Sequence, residues 1–377
     1  MAKFRSSYSE EETSGIDRKK IILITVAAFI ALVAVYSLTQ VLGCSVRQMN
    51  VTKLPCRTTQ DVTPLGDNVI YYNGSELVCV TSSGSEKWRY TVGRGASFHT
   101  DSGNTVAWTG TKLVILDRNG HASYDNQLTS PIQFARAGEE YVAVVMGEDI
   151  SPQLVIKDLS GMTRDNETNA YEDKLLLDCG FFSDGTYLWT TALDVYGTVQ
   201  ATTMNTYRVG QMNTGETDLG EQTVYRILYA DGALNAVSTR HLRKFDYRCV
   251  EDADAVRLVY GWQLINSDAG NGPLKMLYAR TKQTSSMELT DLRYLSDTQD
   301  IRYTLPNVCT GACIYDGRIY AFSSSVLYRA DVNAQRFSAI NLDLDAQETV
   351  AGYIGLLEGG VALLSGTAGN VYAVKLP

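Results

Sequence analysis

Residues 68–88 read NVIYYNGSELVCVTSSGSEKW, and residues 104–124 read NTVAWTGTKLVILDRNGHASY. Laid over one another they match in register. Asn68 falls on Asn104, Gly74 on Gly110, Leu77 on Leu113, Val78 on Val114 and Gly84 on Gly120. Trp88 meets Tyr124, a second large aromatic. The offset is 36 residues, and self-similarity at such a period marks a repeat architecture. Each unit reads as an apolar strand (Val69–Tyr72), a Gly turn, a second strand (Leu77–Val80), a polar turn closing on Gly84 and a strand opened by Trp88. The second strand is apolar on both alternations, Leu77 and Cys79 on one face, Val78 and Val80 on the other. A strand buried on both faces lies between two other sheets, as in radially packed propeller blades.

Weaker copies begin at Gly138, Asp184, Asp231, Pro273, Asp316 and Gly359. With the first two they make eight hairpins, spaced roughly 35–47 residues apart, close to a blade period. The chain ends at Pro377, after the third strand of the last copy. A segment between residues 45 and 65 is therefore expected to supply the fourth strand and close the ring. The fold expected is all-β, an eight-bladed propeller over residues 67–377. Seven blades is the alternative, because 250–300 is the least regular stretch.

Ahead of the repeats, residues 21–43 carry no charge, long enough to cross a bilayer core that needs ~20 helical residues. Arg18, Lys19 and Lys20 precede the run, so residues 1–20 are expected to be a cytoplasmic tail and the propeller extracytoplasmic. Residues 44–66 then serve as tether and ring-closing segment. Val41-Leu42-Gly43-Cys44 also matches a bacterial lipidation signal, which makes an envelope lipoprotein acylated on Cys44 the alternative. The twenty-residue front with three consecutive glutamates, and an apolar run beyond the ~7–15 residues of a signal peptide, favour the uncleaved anchor.

The 68–88 unit resembles the repeat of quinoprotein-type (PQQ-like) propellers, whose blades carry a Gly turn, a strand, a second Gly turn and then Trp. The whole layout is similar to membrane-anchored propellers of uncharacterised function from clostridia-like Gram-positive bacteria. That resemblance implies architecture and place rather than activity. A related propeller is the outer-membrane assembly lipoprotein, a scaffold without chemistry. Quinoprotein dehydrogenases bring a vicinal Cys-Cys pair, which this sequence lacks, and beyond Tyr124 the blade-end aromatic is hard to find.

No catalytic signature is present. His99, His121 and His241 are far apart, no Gly-Lys dipeptide occurs, and there is no GxSxG. No cofactor or metal is expected, and a quinone- or metal-dependent enzyme remains only an alternative. The net charge of −9 argues against nucleic acid, which calls for a basic face. Seven cysteines contain no CxxC and read mainly as small buried apolar residues. Cys309 and Cys313, four apart, would lie roughly 13 Å apart on a regular strand, beyond disulfide reach unless Gly311 bends the chain. One cluster is unusual in an acidic chain: Arg240, His241, Arg243, Lys244 and Arg248 surround Phe245 and Tyr247. By register Arg243 and Lys244 take the places of Val78 and Cys79. Either they pair with carboxylates at a blade boundary, or they form a basic patch for an acidic partner. The function expected is a non-catalytic interaction or scaffold propeller at the cell membrane, with a protein partner.

Overall fold

The computed structural model describes residues 48–377, apart from 168–170, 184, 197–200, 212, 222, 270–271 and 281–287. Residues 1–20, the apolar run 21–43 and Cys44 lie outside the described residues. Those described contain no helix, and their strands assemble into eight sheets. Blades 1 to 7 span residues 62–91, 97–127, 132–167, 174–220, 224–258, 262–309 and 311–343, and blade 8 holds 350–375. Stretch 250–300, the irregular one, contributes the outer strand of blade 5 and most of blade 6.

Closure follows the expected route. Thr52–Arg57 pairs antiparallel with Asn370–Lys375 as the outermost strand of blade 8. One feature was not legible beforehand: Gln48–Asn50 pairs parallel with Ser338–Asp343, adding a fifth strand to blade 7. The segment read as tether also contains Val62–Leu65, the innermost strand of blade 1. Pro64 is accommodated there because this strand pairs on one side only.

Eight apolar clusters hold the ring together, each shared by two adjacent blades. The period-2 rule explains the sharing. Val78 and Val80 point back to Leu363, Val371 and Ala373 of blade 8. Leu77 and Cys79 point forward to Ala107, Val114 and Leu116 of blade 2. Every residue of this doubly apolar strand is thus buried.

The matched aromatics and glycines lock neighbouring blades. Trp88 of blade 1 lies on Gly120 of blade 2, where a Cβ would come within 2.5 Å of the indole. The indole Nε1 donates to the Arg118 carbonyl at 3.1 Å. Tyr124 of blade 2 lies in the same way on Gly161 of blade 3. After that the aromatic gives way to other links. In blade 3 Asp165 accepts the Gly210 N–H of blade 4 at 3.0 Å. In blade 6 the Tyr303 hydroxyl donates to the Val332 carbonyl of blade 7. The contact differs from one boundary to the next, ring on glycine at the first two and a polar bond at these two later ones, which is why the repeated aromatic position fades from the later repeats.

Two turns between the first two strands of a blade are tight two-residue hairpins. Asp231-Gly232 and Asp316-Gly317 both have positive φ at both positions (50° and 71°, 47° and 68°), the type I′ geometry that suits a two-residue hairpin. The six described cysteines are all buried and free. Cys309 ends the outer strand of blade 6 and Cys313 sits in the inner strand of blade 7.

Candidate functional site: the central channel and the two faces

The innermost strands of the blades surround the ring axis. They are Val62–Leu65, Ser97–Asp101, Ile132–Ala137, Lys174–Phe181, Val224–Ala230, Trp262–Asp268, Gly311–Tyr315 and Val350–Leu357. Two cavities of about 580 and about 500 Å³ open between them. The smaller is lined by His99, Arg136, Asp178 and Arg226 of blades 2 to 5. The larger is lined by Arg226, Gln263, Asn266 and Tyr353 among others, from blades 5, 6 and 8. Arg226 borders both.

Several polar groups here are tied to a neighbouring blade. Arg136 Nε donates to Asp178 Oδ1 at 2.9 Å, and its Nη1 donates to the Ala135 carbonyl at 3.1 Å. His99 Nδ1 accepts the Ala137 N–H at 3.2 Å, so that nitrogen is unprotonated. Burial first, then the positive charges of Arg136 and Arg226, push the imidazole pKa down to about 4. Tyr225 hydroxyl accepts the Leu264 N–H at 3.0 Å, and Asn266 Oδ1 accepts the Ile314 N–H at 2.9 Å. Among the described residues no group of His, Cys, Asp or Glu side chains is placed to hold a metal ion.

The two faces of the ring differ. Antiparallel alternation puts the loops after the second and fourth strands of each blade on the face where the inner strands begin. On that face Ile150, Val195, Tyr196, Leu258, Tyr260 and Val308 are exposed, from blades 3 to 6. Tyr260 and Tyr196 are 71% and 69% exposed, unusual for large aromatics that have a core available. The opposite face carries acidic turns, with Asp67, Glu139, Asp231, Asp316 and Glu358, and a smaller exposed apolar set, Met162, Tyr247 and Val250.

The five residues of the basic cluster do not come together. Arg243 and Lys244 project from opposite faces of His241–Phe245. Arg243 faces blade 4: it grips Glu251 through two bonds of 2.6 and 2.7 Å and donates to the Leu219 carbonyl at 3.2 Å. Lys244 faces blade 6 and lies 3.6 Å from Asp297. Arg240 is exposed in the turn before the strand and Arg248 in the turn after it, on opposite faces of the ring. His241 is half-buried at the start of the strand. The partners Glu251 and Asp297 both belong to the stretch 250–300, which the sequence marks only as the least regular. The channel residues were missed altogether, since alternating polar residues on an inner strand resemble any half-exposed strand.

The profile of a family of unknown function, DUF5711, matches residues 45–242. No curated protein matches the chain in sequence. Among solved structures, BamB from Moraxella catarrhalis is similar with a TM-score of 0.55 at 15% identity, over 86% of this chain and 100% of that one. Sqt1 from Saccharomyces cerevisiae is similar with a TM-score of 0.56 at 10% identity, over 87% of this chain and 98% of that one. At such identities the likeness shows the fold.

Proposed function

The chain belongs to the DUF5711 family, and from that premise we propose that it is a membrane-anchored, non-catalytic interaction propeller. In this reading residues 21–43 cross the cell membrane with the N-terminus inside, and the ring on the extracytoplasmic side binds a protein partner. The observation that carries it is the exposed apolar set on one face, Ile150, Val195, Tyr196, Leu258, Tyr260 and Val308. Large apolar residues left exposed on the loops of one face are candidates for an interaction surface, and aromatics anchor such surfaces. Channel polar groups tied from blade to blade, together with buried thiols, support a structural rather than a catalytic use of the interior.

Photo-crosslinking residues placed at Tyr196 and Tyr260 in the full chain, in its native membrane, test the surface. The reading expects one discrete protein adduct at both positions and none at Met162, exposed on the opposite face. Equal labelling at all three positions, or no adduct, overturns it. The mass of the mature chain tests the anchor. Retention of residues 1–43 supports a spanning segment, whereas their loss with a lipid adduct on Cys44 replaces it with a lipoprotein.

A further inference from the structure

The inner strands of blades 3 to 6 and 8 carry β-bulges, and in blades 4, 5 and 6 the bulge is followed by a polar residue at the channel. The register shifts lie between Leu176 and Asp178 in blade 4, Val224 and Arg226 in blade 5, and Leu264 and Asn266 in blade 6. Bulges re-aim side chains and recur beside functional sites. In blades 4 and 6 the re-aimed group has a structural use: Asp178 holds Arg136 of blade 3, and Asn266 accepts an N–H from blade 7. In blade 5 it does not. Arg226 is exposed in the channel, and no carboxylate or carbonyl among the described residues pairs with it.

We propose that Arg226 is the anchor of a channel site for a small organic oxyanion, a carboxylate or a phosphate. The guanidinium fork presents paired N–H donors that match either group. Arg226 borders both cavities, so a ligand held there has room on two sides, within the size range of small-molecule pockets. The channel side chains around it are set in advance. Arg136 is fixed by Asp178 and by the Phe134 ring, 4.8 Å below it. His99 is fixed by the Ala137 N–H, and Gln263 and Tyr225 line the other side. The low imidazole pKa of His99 reports the same positive field, after burial. The channel carboxylates do not cancel it at Arg226. Asp178 serves Arg136, Asp268 is held by Lys275 at 3.0 Å, and Asp101 and Glu139 lie at the mouth where the inner strands end. Those last two repel an anion approaching from that face, so entry is from the face where the inner strands begin.

The test measures thermal stabilisation and calorimetric binding on the full chain in detergent, at constant ionic strength. The probes are citrate, inorganic phosphate and the neutral sugar glucose. The site predicts saturable binding of citrate, phosphate or both, and none of glucose; citrate alone assigns the carboxylate source, and phosphate alone the phosphate source. Arg226→Gln should weaken that binding roughly tenfold or more, the scale of a lost charge-assisted bond. It should leave the unliganded melting temperature within about 1 °C, because the Arg226 side chain makes no hydrogen bond or ion pair among the described residues, in line with ordinary surface substitutions. Binding of neither anion, or affinity unchanged in Arg226→Gln, overturns the proposal. Arg248→Gln, outside the channel, is the charge-matched control and must bind like the parent.

Discussion

Replacing Leu54 by Ala probes the closure of the ring. Leu54 sits in the closing strand, 3% exposed, in the apolar cluster that joins blades 8 and 1. Around it lie Val69, Tyr71, Val371 and Ala373, so truncation leaves a cavity that rigid strands on both sides cannot fill. Buried Leu→Ala changes cost ~2–5 kcal/mol. At ~2.1 cal/mol/K per residue over about 330 folded residues, the unfolding entropy is about 0.7 kcal/mol/K. The melting temperature should therefore fall by about 3–7 °C. The neighbouring Lys53→Ala is the control: its bridge to Asp345 joins two side chains that are 48% and 53% exposed, and such screened surface pairs contribute little, so the melting temperature should barely move. Scanning calorimetry reads both. Hydrogen exchange reads the location, with faster exchange in Asn370–Lys375 for Leu54→Ala but not for Leu154→Ala, a likewise buried residue of blade 3. A fall no larger than that of Lys53→Ala, or unchanged exchange in the last strand, would refute the claim that this strand seals the ring.

Other outcomes follow from the same geometry. Because the His99 pKa is depressed to about 4, the unfolded chain binds the extra proton first. Its contribution is complete above the ordinary histidine range and is lost as pH falls from about 6.5 toward 4; His99→Gln should flatten the stability–pH curve there by up to one proton. Arg293 holds Asp300 by bonds of 2.8 and 2.7 Å and lowers its pKa. Asp300→Asn should therefore melt lower than the parent at pH 7, and the gap should narrow as pH falls through the usual carboxylate range. Gly161→Ala would put a Cβ 1.8 Å from the Tyr124 ring at φ +85°, and should lower the melting temperature more than Gly74→Ala, which has open space. Burial raises the thiols of Cys309 and Cys313 to about 12, so alkylation of the folded chain should be slow at both, and reduction should not change the mass.

The repeat over 68–124 determined the blade and its double-sided burial, because packing between two neighbours constrains every residue of a middle strand at once; the weaker copies point to eight blades and leave seven open, and the eight sheets decide it. The repeat also required a closing strand from the front of the chain, since the last copy stops one strand short. Which residues close was a matter of tertiary pairing: Thr52–Arg57 and Gln48–Asn50 carry no repeat signal, and only their neighbours in blades 8 and 7 define them. The basic cluster shows the same division. Sequence placed Arg243 and Lys244 at buried positions, whereas the carboxylates that compensate them come from another strand and another blade. Arg226 is the clearest case. In the sequence it is one arginine on a strand; only the bulge, and seven other inner strands around one axis, turn it toward a shared cavity, where no described residue pairs with it.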